Sequence, residues 1–252
     1  MTRRRWIADE VSGNRAALIG AHAEHLIRVL RARVGQEFDI VANGVVHRGR
    51  VSKISEARVD FELHEEISSN ATIASVTLML SIFKFDRMEW AIEKATELGV
   101  ARIVPLVARR TDPHLASASE KRAERWRRIS MQAAEQSRRA TPPEIAAPLK
   151  LHKATALPGA LRIVLSETEQ ETLLRDVVRS NQDVSEVFLV VGPEGGWTED
   201  ELDQFQKEGW VSASLGPTIL RTETAAIAAT VITMSELNDN GALPHSLPHP
   251  RK

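Results

Sequence analysis

From residue 75 onward the chain alternates between two textures. Unbroken apolar runs, "SVTLMLSIF" (75–83), "RIVPLVA" (102–108), "LRIVLS" (161–166), "EVFLVV" (186–191) and "VSASLG" (211–216), are separated by segments with helical spacing. Apolar runs without polar alternation belong to strands covered on both faces, which points to a parallel α/β sheet. The intervening segments carry helix start and stop signals. "DRMEWAIEKATELG" opens at Asp86 with Glu89 three positions on, a capping-box spacing, and stops at Gly99. Ser117 and Glu120 repeat that spacing in "SASEKRAERW", and Thr198 and Glu201 repeat it in "TEDELDQFQKEG", which closes at Gly209.

The first 67 residues read differently. Short strand-like runs are separated by glycine turns, and "FDIVANGVVHRGRVSKI" (38–54) predicts a hairpin around Asn43-Gly44. "HAEHLIRVLRARVG" (22–35) has helical spacing and stops at Gly35. "SSNAT" (68–72) has turn residues and no period, so it predicts a linker. The expected organisation is a small strand-rich, barrel-like domain, then a larger α/β domain, then a disordered tail over 241–252.

Composition is that of an ordinary globular chain, with 42% hydrophobic and 27% charged residues. The absence of cysteine excludes disulfides and thiolate metal sites and fits a reducing compartment. No apolar run approaches the ~20 residues that span a bilayer, and "MTRRRWIADEV" lacks the apolar core of a signal peptide. A soluble, cytoplasmic protein with no membrane partner is expected. The net charge of −1 hides an asymmetry: residues 1–58 carry eleven Lys/Arg against six Asp/Glu, and 120–139 carry seven against three. Local basic surfaces of this kind bind phosphate backbones even on a neutral chain, although solvated faces look the same. His22 and His25 stand three apart with Glu24 between them, but the chain has no cysteine to complete a site with them, and no metal is expected.

Two turns carry candidate chemistry. "GPEGGW" (192–197) joins an apolar run to a capped helix, which puts the N–H groups of 195–198 at a helix N-terminus, a place that favours anions. Glu194 would repel a phosphate there. A carboxylate suits hydroxyls, such as a ribose, or a cationic group, and a ligand-free tight turn has the same spacing. "LGPTILRTETAAIAATVITMSEL" (215–237) again runs from a strand through Gly216-Pro217 into a helix, with Thr222 as expected N-cap, Glu223 in the first turn and a face of alanines. Two such turns on one parallel sheet point to a pocket at the strand C-termini.

"VGPEGGWTEDEL" and "LGPTILRTETAAIAA", in that order, resemble the signature motifs of the ribosomal RNA small-subunit methyltransferase E family. "RRRWI" (3–7), "HLIRVLRARVGQEF" (25–38), "KFDRMEWAIEKATELGVARIVPL" (84–106) and "ERWRRISMQAAEQSRRATPPEI" (124–145) resemble its other blocks, while "ARRTDPHL" (108–115) departs from the basic-serine segment expected there. The resemblance implies a PUA-like β-barrel RNA-binding domain over 1–70 and a SPOUT trefoil-knotted parallel-sheet domain over 73–240, dimerising through the knotted domain. It implies methylation of uridine N3 in 16S ribosomal RNA of the small subunit with S-adenosylmethionine. A ribose 2′-hydroxyl target, or a non-catalytic RNA-binding module, are the alternatives.

Carried onto this chain, the cofactor site would comprise Leu165, Ser166, Glu167, Gly192, Pro193, Glu194, Gly195, Gly196, Leu215, Gly216, Ile219, Leu220, Arg221, Thr222, Thr224 and Ala225. Backbone groups of Leu215, Ile219 and Leu220 would hold the adenine. Arg221 would stabilise charge developing on the uracil carbonyls, and Glu194 or Glu223 would accept the N3 proton. Arg3, Arg4, Arg5, Arg28, Arg31, Arg138 and Arg139 are the RNA-binding candidates, the last two beside the cofactor domain, and Trp6 is a candidate for base stacking. Charge reversal at Arg3–Arg5 should weaken RNA binding and flatten its salt dependence in a titration series; an unchanged salt slope would reject that role.

Overall fold

The computed structural model describes residues 5–67 and 74–238. Arg3, Arg4, the expected linker 68–72 and the tail 241–252 lie outside them. The chain divides into two compact units. One comprises residues 1–70 together with 131–142, and the other 71–130 with 143–252.

In the first unit, β1 (Arg5–Ile7), β2 (Glu10–Ser12), β3 (Arg15–Ile19), β4 (Glu37–Ala42), β5 (Val45–Ser55) and β6 (Arg58–Glu66) form one curled sheet in the order β1-β4-β5-β6-β3-β2. The hairpin at Asn43-Gly44 forms as expected, with φ of 52° and 80° at the two turn residues. Two register shifts in β5, at His47/Gly49 and Val51/Lys53, bend the sheet around Trp6, Leu18, Leu26, Ile40, Val59 and Phe61. The helix expected over 22–35 is shorter. It runs as α1 (Ala21–Glu24) into one π-helical turn, His25–Val29, and Arg31 then has φ of 51°. Val29, Leu30 and Val34 are exposed, so their spacing marked no buried face.

Residues 131–142, including Arg138 and Arg139, group with this unit. Arg5 Nη1 donates to the carbonyl of Arg138. The two ring nitrogens of His22 face Asp9 and the buried Glu135, at 3.4 and 3.1 Å. Carboxylates do therefore reach His22, but on opposite edges of the ring, where they do not converge on one ion.

The second unit holds a fully parallel sheet. β7 (Ser75–Ser81), β8 (Arg102–Val107), β11 (Leu161–Leu165), β12 (Glu186–Val191) and β13 (Val211–Ala213) are the five apolar runs, joined by the short β9 (Glu144–Ile145) and β10 (Leu149–Lys150). The order is β10-β8-β7-β12-β11-β13, with β9 also on β8. Alternate residues of the same strands enter two cores. Leu78 and Leu80 pack with residues of α2 (Phe85–Glu97), α5 (Leu174–Arg179) and α7 (Thr222–Asn238), whereas Met79 and Val190 pack with α4 (Leu151–Thr155) and α6 (Glu199–Lys207). Covering both faces is why these strands lack polar alternation. Among the described residues no helix is long and apolar enough to cross a membrane.

Of the three expected capping boxes only Thr198–Glu201 forms. α2 starts at Phe85 without a side-chain cap, and Glu89 instead receives Arg125 at 2.7 and 2.8 Å. α3 (Pro113–Gln136) starts four residues before Ser117, where Asp112 Oδ1 accepts from the N–H groups of His114 and Leu115. Proline at the first helical position needs no donor, so Asp112-Pro113 outcompetes the downstream serine. α7 begins one residue earlier than expected: the Arg221 carbonyl accepts its first bond, from Ala225, so Arg221 holds the N-cap position in place of Thr222.

The end of β13 is bonded on both sides. Ser166, following β11, donates its N–H to the Ala213 carbonyl at 3.0 Å. On the other side, Ser214 donates to the Thr172 carbonyl and Leu174 donates to Ser214, at 2.8 and 2.9 Å. The loop 166–173 therefore brackets the chain as it leaves β13. Glu169 shapes this loop by accepting from the N–H groups of Thr172 and Glu171, which hold its carboxyl below the ordinary value of 4.5. A lowered folded value means that the contribution is fully present above pH 4.5 and is lost as pH falls through the lower value. Glu169→Gln should lower the melting temperature by roughly 1–4 °C at neutral pH. The difference from wild type should shrink in thermal melts taken at progressively more acid pH.

Candidate active site

Three loops leave the C-terminal ends of the neighbouring strands β11, β12 and β13, where open parallel sheets bind ligands. They enclose a cavity of about 350 Å³. Leu165, Ser166 and Glu167 form one wall; Gly192, Pro193, Glu194 and Gly196 form a second; Leu215, Gly216, Ile219, Leu220, Arg221, Thr222 and Ala225 form the third. Of the expected cofactor residues, Gly195 and Thr224 are not at the cavity: the Gly195 carbonyl is bonded by Arg110, and Thr224 is exposed on α7. Thr218, within the third loop, also lines the space, as do Arg87, Val191, Ala213 and Ser214, which the motifs did not single out.

The glycine-rich turn is held by its own side chains. Trp197 is buried and donates from Nε1 to the Leu165 carbonyl at 2.9 Å, tying the second wall to the first. Arg110 Nη1 donates to the carbonyls of Gly195 and Trp197 at 2.7 and 3.2 Å. The arginines of the divergent segment 108–115 thus serve the loop, with Arg109 on Asp200 and Arg110 on the turn. Gly196 has φ of 71°, and a Cβ there would run into the Glu167 carboxylate. The expectation that N–H groups 195–198 form an anion site does not hold in full. Gly196 already donates to the Pro193 carbonyl and Thr198 to Glu201 Oε2, both at 2.9 Å.

Charge at the cavity is mixed. Arg87, in the first turn of α2, donates from Nη1 to Glu194 Oε1 at 3.0 Å, and its Nε lies 3.7 Å from Glu223 Oε1. Glu223 is 9% exposed, and its Oε2 is buried without a hydrogen-bond partner among the described residues. The Arg221 side chain is exposed and makes no hydrogen bond or ion pair to the described residues. The structure therefore brings Glu194, Glu223 and Arg221 to one place and adds Arg87 to them.

The RNA-binding candidates separate. Arg28 and Arg31 are exposed in the first unit, whereas Arg5 is engaged with the Arg138 carbonyl. Burial pushes the Arg139 guanidinium down to about 10, which opposes a role as an open phosphate contact. Trp6 is 1% exposed and belongs to the core, so it offers no face to a base.

Residues 70–234 match the RNA methyltransferase domain family. The chain is 30% identical to the ribosomal RNA small subunit methyltransferase E of Aquifex aeolicus, over 90% of this chain and 97% of that protein. It belongs to the ribosomal RNA small subunit methyltransferase E family. The family member of Rickettsia conorii is 32% identical over 82% of this chain and 84% of its own length. A solved small subunit methyltransferase E from Neisseria gonorrhoeae, bound to S-adenosylmethionine, superposes with a TM-score of 0.81 at 29% identity, covering 93% of this chain and 98% of that one.

Because Gly196 has a φ of 71°, which residues with a Cβ rarely adopt, Gly196→Ala should cost about 1–3 kcal/mol of stability. Urea denaturation of the purified variant checks this, and an unchanged midpoint would contradict it.

Proposed function

We propose that this chain transfers the methyl group of S-adenosylmethionine to N3 of a uridine in 16S ribosomal RNA, as a cytoplasmic enzyme working as a homodimer. The observation that carries the reading is the convergence of three strand-end loops on one cavity lined also by Glu167, Glu194, Arg87 and Arg221, with Glu223 3.7 Å from Arg87.

The donor set fits the cofactor. Ile219 is 87% exposed and stands with the half-buried Leu215 and Leu220, an open apolar wall suited to a purine. Glu167 and Glu194 put negative charge beside that wall, which suits a cationic sulfonium and disfavours a nucleotide phosphate. When bound, the cofactor supplies an electrophilic methyl carbon.

The chain's own residues would do the rest. Uridine N3 gains a methyl group and loses a proton, so a carboxylate at the site, Glu194 or Glu223, receives that proton. Arg221, exposed and unengaged, is free to face the uracil carbonyls where negative charge develops. Placement of the attacking nitrogen supplies much of the remaining acceleration. Arg28 and Arg31 on the first unit suit phosphate contacts that position the RNA.

The bracket at Ser214 supports reading the second unit as a threaded, knotted SPOUT domain, since the chain leaves β13 inside the loop 166–173. Exposed Trp90 on α2 and Val231 on the adjoining α7 support packing against a second copy.

Incubation with methyl-labelled cofactor and small ribosomal subunits lacking the modification, followed by nucleoside analysis, should yield 3-methyluridine. A 2′-O-methylated nucleoside would overturn the N3 reading. Arg221→Ala should lower turnover about 10²–10³-fold while cofactor affinity in calorimetry is retained.

A further inference from the structure

Arg87 lies on an element that contributes nothing else to the cavity wall, and the sequence block that contains it, 84–106, gives it no role of its own. Its guanidinium is shared between carboxylates from two different walls: Glu194, after β12, and Glu223, in the first turn of α7. Among the described residues neither carboxylate has another ion-pair partner. Both stand beside a space that must bring a cationic cofactor and a proton-losing base together.

The walls themselves do not need this arginine. The glycine-rich turn is tied down by Trp197 and Arg110, and the helix after it by the Thr198–Glu201 capping box. α7 is held by packing against α2, α5 and the sheet. What Arg87 alone holds is the pair of side chains. Without it, two negative charges, one of them buried, would stand near each other uncompensated and would turn apart.

We propose that Arg87 is a positioning residue for methyl transfer, orienting Glu194 and Glu223 and setting the charge of the site without itself capturing the cofactor. The role rests on the methyltransferase reading but is independent of which RNA atom is methylated. It predicts a particular split. Removing a cation does not weaken binding of a cationic cofactor, so cofactor affinity should hold while turnover falls.

The test uses the full-length enzyme and methyl incorporation into ribosomal RNA, scored regardless of nucleoside. Arg87→Ala should lower kcat about 10²-fold with the cofactor dissociation constant within about threefold of wild type and a melting temperature close to it. Arg87→Lys keeps the charge but cannot reach both carboxylates, and should fall between wild type and Arg87→Ala; it also serves if the alanine variant does not fold. The double variant Arg87→Ala/Glu194→Gln should lose no more than the worse single variant, because the two side chains act as one unit. Near-wild-type kcat in Arg87→Ala, a tenfold loss of cofactor affinity with kcat unchanged, or independent multiplication of the two single effects would each overturn the proposal. Absence of any transfer by wild type would instead sink the functional reading. In that case the Arg87–Glu194 coupling is read from melting temperatures, where additive shifts overturn it.

Discussion

The backbone of Ser214 sets the terms for the rest of the site. β13 is only three residues long and lies at the edge of the sheet, yet its end is bonded to Ser166 on one side and to Thr172 and Leu174 on the other. Buried peptide groups have to be paired, and here both sets of partners come from one loop. The chain therefore leaves β13 hydrogen-bonded to that loop on two edges, and Leu215 and Gly216 line the same cavity as the turn at Gly192–Gly196. α7 starts from that point and packs on α2 and α5. The cavity is a consequence of this route.

The glutamate in the glycine-rich turn follows from the same arrangement. A turn of this shape invites a phosphate, but the N–H groups of Gly196 and Thr198 are already bonded. Glu194 is held by Arg87, and Gly196 sits at a φ of 71° that favours glycine. The loop is built for protein neighbours first, and the apolar wall with flanking carboxylates that results suits a cationic nucleoside better than a phosphate.

Much of this was legible in the sequence, and the failures have physical causes. The five apolar runs marked the five main strands because burial on both faces removes polar alternation. β9, β10, α4 and α5 were missed because elements of two to six residues carry no period. The spacing of 22–35 overstated α1, since Val29 and Val34 turn out to be exposed. Asp86 and Ser117 had the right spacing for caps, but α2 opens at Phe85 with no side-chain cap, and Asp112-Pro113 takes the place of Ser117 at α3. The cavity loops were recognisable from their motifs, but Arg87 and Arg110 were not. They meet Glu194 and Gly195 across 107 and 85 residues of sequence, a pairing that only the folded sheet creates. The grouping of residues 131–142 with the first unit was equally unreadable, because it depends on tertiary partners such as His22 with Glu135.

The most direct test is a crystal structure of this chain grown with S-adenosylmethionine. The account predicts the cofactor between Leu165–Glu167, Gly192–Gly196 and Leu215–Leu220, with the hydrogen bonds at Ser214 unchanged. Cofactor bound elsewhere on the chain, or a bracket at Ser214 that opens to admit it, would contradict the account.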